Sequence, residues 1–298
     1  MFKVIFWGVR GSIPCPGPKT AKYGGNTSSI QIKTDLDYQI IIDAGSGIRN
    51  LGMSLMGDPE VKKPLDIYLF FTHTHWDHIM GFPFFTPIYI PNAKVSIFGP
   101  VSFEDEPLEK VIGGQLTYRY FPIRQDELRS SIKYQPLKEG SMQLPGGMIV
   151  SYKFLNHPVL CLGYRFEYKG KIFCTCFDHE PFRNLFEGDP INEEEGKLAA
   201  DENNAKITAF FSNSDLLVHD SQYTTEEYNQ KYIGWGHSTY KYAITQALKG
   251  NVKKLALFHH DPERSDSQLD KIKNVFMDRY KNNNLDVFPA YEKLEVEL

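Results

Sequence analysis

Cysteine is scarce in this chain: Cys15, Cys161, Cys174 and Cys176 are all that 298 residues contain, and no two form a CxxC pair. That excludes a disulfide framework and fits a reducing compartment. Cys174 and Cys176, two apart, are expected on one side of a buried strand. Long apolar runs are also missing. No stretch approaches the ~18 residues that a bilayer crossing requires. The start, Met1–Arg10, has too short an apolar run for a signal peptide and no small-residue cleavage site behind it. A cytoplasmic location without membrane attachment is expected. Nor is there an excess of positive charge. Lys+Arg 33 against Asp+Glu 37 gives a net charge of -4, the wrong sign for gripping long nucleic acid by bulk electrostatics. Any polyanion has to be caught locally.

The chain does have the apolar content of a folded protein, 41% hydrophobic and 14% aromatic. Length allows one or two domains, but no linker or composition shift divides the sequence, so a single domain over 1–298 is expected. Short β-rich runs recur at 2–7, 28–34, 38–43, 67–72, 94–98, 148–154, 162–168, 171–177 and 215–219, with two more at 253–259 and 291–297. Several are apolar throughout, such as Ile67-Tyr68-Leu69-Phe70-Phe71, which marks strands buried on both faces. Helices are expected at 46–56, 77–84, 104–112, 194–211, 223–231, 239–249 and 267–281. The pattern predicts a layered α/β architecture. The polar stretch 183–206, with Glu193-Glu194-Glu195 at its centre, reads as a solvated acidic surface insertion or, alternatively, a lid.

The chemistry concentrates in Thr72-His73-Thr74-His75-Trp76-Asp77-His78, directly after a buried strand. Three imidazoles and a carboxylate are costly to bury unpaired, and a metal cluster supplies the partner. His73 and His75, two apart on an extended segment, point the same way and can bind one ion. Asp77 and His78 follow as the chain turns into a helix and suit a second ion.

The sequence here resembles the metallo-β-lactamase fold hydrolases, whose signature is HxHxDH, and within them ribonuclease Z and its phosphodiesterase relatives. The likeness extends from Phe6-Trp7-Gly8-Val9-Arg10-Gly11-Ser12 and Ile42-Asp43-Ala44-Gly45 to Asn156-His157-Pro158, Gly163-Tyr164-Arg165 and Asp178. It continues through Val218-His219-Asp220, Gly236-His237-Ser238-Thr239 and Leu257-Phe258-His259. The resemblance implies a four-layered αβ/βα sandwich with the site at one edge between two sheets. It implies one ion on His73, His75 and His157, another on Asp77, His78 and His259, and Asp178 shared. Zinc suits such ligands, and manganese or iron would also fit. His259 is favoured over His260, because adjacent strand residues face opposite sides. Asp220 is either an alternative bridging ligand or, as the family order favours, an acid that orients His237. His219 is expected to be a buried hydrogen-bonding residue.

Two divalent ions lower the pKa of a shared water toward ~7 and make hydroxide the nucleophile at neutral pH. Asp77 would orient or deprotonate it, and His237 would protonate the leaving group unless it merely caps the helix at 239–249. In ribonuclease Z a glycine- and proline-rich arm that grips transfer RNA follows the Gly-Tyr-Arg segment. This chain has only a hairpin there, so a small phosphodiester such as a cyclic nucleotide is expected ahead of the alternative, processing of transfer RNA 3' ends. Trp76, Phe82, Phe84, Phe85, Tyr120, Phe121 and Trp235 are candidates to stack a base. A homodimer is compatible with the sequence, which does not fix the oligomer.

Overall fold

The computed structural model describes residues 1–101, 106–280 and 284–298. In chain order its strands are β1 (Phe2–Gly8), β2 (Ser29–Thr34), β3 (Gln39–Ile42), β4 (Asp66–Phe70), β5 (Lys94–Pro100), β6 (Ser131–Leu137), β7 (Gly140–Gln143), β8 (Ile149–Leu155), β9 (Cys161–Tyr168), β10 (Lys171–Cys176), β11 (Leu216–Asp220), β12 (Lys254–Phe258), β13 (Asp286–Pro289) and β14 (Glu295–Glu297). The helices are α1 (Ile48–Gly57), α2 (Trp76–Ile79), α3 (Leu108–Gly113), α4 (Glu193–Phe210), α5 (Thr225–Glu227), α6 (Tyr240–Lys249) and α7 (Asp266–Tyr280).

The strands form two seven-stranded sheets, ordered β14-β1-β2-β3-β4-β5-β6 and β13-β12-β11-β10-β9-β8-β7. Each is antiparallel in one half and parallel in the other: β3, β4, β5 and β6 run parallel in the first sheet, and β10, β11, β12 and β13 in the second. Apolar residues alternate through the strands so that each sheet has two buried faces, which makes three cores. Phe6, Phe70, Phe98, Tyr164, Phe166, Phe177 and Phe258 fill the space between the sheets. Ile48, Leu51 and Leu55 of α1 cover the outer face of the first sheet together with Leu108 and Ile112 of α3. Ile207, Ala243, Ile244 and Ala247, from α4 and α6, cover the outer face of the second. This is the expected αβ/βα sandwich. Cys161, Cys174 and Cys176 lie in that last core, the two strand neighbours on one face as their spacing predicted.

Several expectations need correction. Strands β6, β7 and β13 were not legible, because each sits at or beside a sheet edge: β6 alternates exposed and half-buried residues and contains Pro136, and β13 ends in Pro289. The final run at 291–297 pairs only over Glu295–Glu297. The helix expected at 77–84 ends at Ile79, and a separate 3-10 turn, Phe82–Phe84, holds Pro83. At 223–231 the chain makes one short turn and then a π-helical turn, Tyr228–Tyr232. Residues 104–105 and 281 of two expected helices lie outside the described residues. The 183–206 stretch is exposed at Leu185 and Ile191, and from Glu193 it enters α4, close to the helix expected at 194–211, with Ala200 buried. Its three glutamates fall in the first helical turn, where the helix dipole favours them.

Phe166 is fully buried between the sheets, edge-on to Phe70 at 5.5 Å. Phe166→Ala is expected to lower unfolding stability by about 3–5 kcal/mol, whereas Leu185→Ala, at a side chain 88% exposed, should leave the urea midpoint nearly unchanged. Equal midpoints for the two variants would contradict this packing.

Candidate metal centre

The expected site residues gather where the parallel strands of both sheets end. Asp43 follows β3, His73 and His75 follow β4, Asp178 follows β10, Asp220 ends β11, and His259 follows β12. His157 lies in the turn between β8 and β9. Asp43, Asp178 and His259 have φ of 59°, 50° and 60°. Asp and His tolerate this left-handed conformation better than most residues, and here it turns the chain sharply at three strand ends. The local strain is a feature of functional sites.

Hydrogen bonds fix which atom each imidazole presents. His78 Nδ1 donates to Asp43 Oδ2 at 2.7 Å, His157 Nδ1 to the Gly236 carbonyl at 3.0 Å, and His259 Nδ1 to Gln222 Oε1 at 3.1 Å. Thr72 Oγ1 donates to Asp43 Oδ2 at 2.8 Å, which leaves it free to accept from His73 Nδ1 at 3.1 Å. Each of these four rings therefore turns its Nε2 toward the seam. His75 is the exception and presents Nδ1, 3.0 Å from His157 Nε2.

Potential ligand atoms converge in three overlapping sets, each within 4.8 Å: His73, His75, His157 and Asp178 make one, Asp77, His78, Asp178 and His259 the second, and Asp178, Asp220, His237 and His259 a third that overlaps the second. Asp178 joins the first two through different oxygens. Oδ2 lies 3.4 Å from His73 Nε2 and 3.8 Å from His157 Nε2. Oδ1 lies 3.4 Å from His78 Nε2 and 3.3 Å from His259 Nε2. In the second set His78 Nε2 and His259 Nε2 are 3.4 Å apart, and His259 Nε2 is 3.1 Å from Asp77 Oδ2. His73 Nε2 and Asp178 Oδ1 are buried with no hydrogen-bond partner. Such a crowd of acceptors is self-repelling, and a pair of cations is the group that fits it.

Burial pushes His73 and His75 down, and His157 down to about 4, so these rings are neutral at physiological pH. His78 goes the other way: burial would lower it, but the carboxylates of Asp178, Asp77 and Asp43 raise it well above the ordinary imidazole range. Burial likewise disfavours the Asp77 and Asp178 anions, and the positive charge on the imidazoles beside them holds both well below the usual carboxylate range.

His260 turns away, donating from Nε2 to the Ala290 carbonyl at 2.9 Å with its ring against Tyr23. Asp220 uses both oxygens elsewhere: Oδ2 accepts from His237 Nδ1 at 2.8 Å and from the His179 amide at 3.2 Å, and Oδ1 from the Gln222 amide at 3.1 Å. Its nearest side-chain partner is His237, and it also stands within 4.8 Å of the ligand atoms of Asp178 and His259. Burial would lower the His237 pKa, but the Asp220 carboxylate prevails and raises it to about 9, so the ring carries a proton at neutral pH. His237 does not cap the following helix. Thr239 does, accepting from the Tyr242 amide at 3.1 Å. His219 is buried and donates from Nδ1 to the Asp220 carbonyl at 2.7 Å. Among the aromatic candidates, Phe82 and Phe85 belong to the outer core, a correction to their reading as base contacts. Trp76, Tyr120 and Trp235 are exposed.

Residues that motif spacing did not single out complete the site. Asp43 and Gln222 hold ligand rings, and the Ser12 amide donates to Asp77 Oδ2 at 2.7 Å. Gly11 is required by close approach, since a Cβ there would lie 2.4 Å from His259 Cε1. Asp43 had one legible signal, an acid ending a buried strand before a glycine.

No protein-family model matches the chain. It is 27% identical to a ribonuclease Z of Picrophilus torridus over 333 aligned positions, covering 99% of this chain and 98% of the relative. It is 24% identical to a ribonuclease Z of Clostridium novyi, covering 94% and 96%. In structure it is similar to the metallo-β-lactamase fold protein YhfI from Bacillus subtilis, with a TM-score of 0.67 at 18% identity, covering 100% of this chain and 99% of that one. The short form of human tRNase Z gives 0.62 at 19% identity, covering 99% and 98%. The fold is that of the metallo-β-lactamase hydrolases, and the sequence is ribonuclease Z-like. No described helix is long and apolar enough to cross a membrane.

Asp43→Asn replaces an acceptor-only group that serves His78 and Thr72 together. Competition titration with a chelator should show the affinity for one of two ions reduced about 10–100-fold. Unchanged affinity for both would remove Asp43 from the site's support.

Proposed function

We propose that this metallo-β-lactamase fold, ribonuclease Z-like chain is a dinuclear-metal phosphodiesterase. One observation carries the reading: Asp178 divides its two carboxylate oxygens between two separate sets of histidine nitrogens. His73, His75 and His157 would hold one ion and Asp77, His78 and His259 the other. Zinc suits the donors best, with manganese and iron as alternatives. Bound there, the ions supply a nucleophile at neutral pH and neutralise charge on the phosphoryl oxygens. Their charge outweighs the two ligand carboxylates, so the seam attracts an anionic diester although the chain is acidic overall.

The protein's own groups do the rest. Asp77, held by the Ser12 amide, orients the nucleophile and accepts its proton. His237, held by Asp220 and protonated, gives a proton to the departing alkoxide. His237 stacks on His259 with ring centroids 4.9 Å apart and lies 5.4 Å from His157, so the acid stands beside both ligand sets.

For the substrate, the relatives reverse the order expected from sequence. Those aligned along nearly the whole chain are named ribonuclease Z, which favours RNA with a 3' trailer, whereas a cyclic nucleotide gains no support from them. One observation keeps a short diester as the second reading. Tyr168 pairs with Lys171 across a two-residue turn, Lys169-Gly170, with φ of 49° and 74°. This is a tight hairpin where the resemblance places an RNA-gripping arm. The 333-position alignment exceeds the 298 residues here, so the relative also carries segments this chain lacks.

A panel of transfer RNA precursor, cyclic nucleotides and bis(p-nitrophenyl) phosphate should show site-specific trailer removal as the fastest reaction. Cleavage of short diesters alone would transfer the assignment to the second reading, and inactivity on every phosphodiester would overturn both. The acid is tested separately. His237→Ala should slow a nucleotide diester by roughly 10²–10⁴-fold while sparing bis(p-nitrophenyl) phosphate, whose leaving group needs almost no protonation. Equal losses on both would exclude the acid role.

A further inference from the structure

We propose that Glu180 is a positioning residue for the His157 side of the metal centre and for His237, an inference that rests on the two-ion reading above. Glu180 is 5% exposed and lies two positions after Asp178. Its carboxylate accepts three hydrogen bonds. Oε1 takes the Tyr228 hydroxyl at 2.5 Å and the Gly234 amide at 2.7 Å. Oε2 takes the Gly236 amide at 2.8 Å. Its main chain is tied to the opposite wall, where the Glu180 amide donates to the Asn156 carbonyl at 2.9 Å and Asn156 Nδ2 donates to the Glu180 carbonyl at 3.0 Å. One residue therefore joins the strand end bearing Asp178, the turn bearing His157 through its main chain, and the loop bearing His237 through its carboxylate.

The loop needs such an anchor. Gly234 and Gly236 have φ of 84° and 85°, and Gly236 presses on the first ligand set, since a Cβ there would lie 2.4 Å from His157 Nδ1. The Gly236 carbonyl accepts the His157 Nδ1 proton at 3.0 Å and so aims Nε2 at the ion. Any drift of the Gly236 peptide misaims His157 and moves the adjoining His237. On the far side Tyr232 stacks on Tyr223 at 4.2 Å, Trp235 meets Tyr232 edge-on at 5.3 Å, and the Trp235 amide donates to the Tyr232 carbonyl at 3.2 Å. These hold its outer turn but make no bond to Gly236. The glutamate has to be an acceptor only, because all three partners donate.

Glu180→Gln is close in shape and tests that requirement. Its amide oxygen can still serve Tyr228 and Gly234, which turns the NH2 against the Gly236 N–H. With Zn2+ titrated against a chelator, the wild-type protein should bind two ions. Glu180→Gln should weaken one of them about 10–100-fold, matching the ion weakened by His157→Ala and not the one weakened by His259→Ala. Tyr228→Phe keeps both glycine bonds and should retain both ions, and the unfolding midpoint of metal-free Glu180→Gln should stay near wild type. Wild-type affinity for both ions in Glu180→Gln would overturn the inference. So would loss of both ions together with a lowered metal-free midpoint, which would mark a purely structural role. Fewer than two ions on the wild-type protein would overturn the two-ion reading, and this inference with it.

Discussion

The shared carboxylate of Asp178 is the constraint on which the arrangement turns. It is buried at the seam between two sheets, with one oxygen facing the nitrogens of His73 and His157 and the other those of His78 and His259. An anion in that position is stable only among positive charges. Within the chain that charge falls to His78, whose imidazole Asp178, Asp77 and Asp43 raise well above its ordinary range, while burial keeps His73 and His157 neutral. Hydrogen bonds accepted by Asp43, Gly236 and Gln222 leave the opposite ring nitrogens facing the seam, an arrangement that fits cations.

The fold delivers these groups because both sheets are built alike. Each has a parallel half whose strands end at the same seam, so loops from two sheets meet face to face. The central aromatic core fixes the separation of the sheets, and that in turn sets the span that Asp178 bridges. Left-handed residues directly after the strands bend the chain into the seam within one or two positions. At about 1–2 kcal/mol each for residues with a Cβ, such turns persist only because the surrounding packing and hydrogen bonds hold them.

What the sequence revealed follows from how local each signal is. The HxHxDH run is contiguous, and its strand is apolar on both faces, so the ligands from His73 to His78 and the layered architecture were readable. His157, Asp178, His237 and His259 came from the resemblance, because nothing local joins residues so far apart. The sheet-edge strands β6, β7 and β13 escaped because they bury little: β7 and β13 are four residues long, and prolines stand in β6 and at the end of β13. Gln222 and Glu180 escaped for a different reason: they act through hydrogen bonds to rings and main chain that no spacing rule encodes. The substrate is least local of all: a missing arm and a net negative charge favour a short diester, whereas the relatives aligned along nearly the whole chain are named ribonuclease Z.

Crystals grown with zinc and measured at its absorption edge give the most direct test of the central claim. Two anomalous peaks about 3.5–4 Å apart, one beside each oxygen of Asp178, are the predicted result. A single peak at full zinc loading, or two peaks of which only one contacts Asp178, would contradict it.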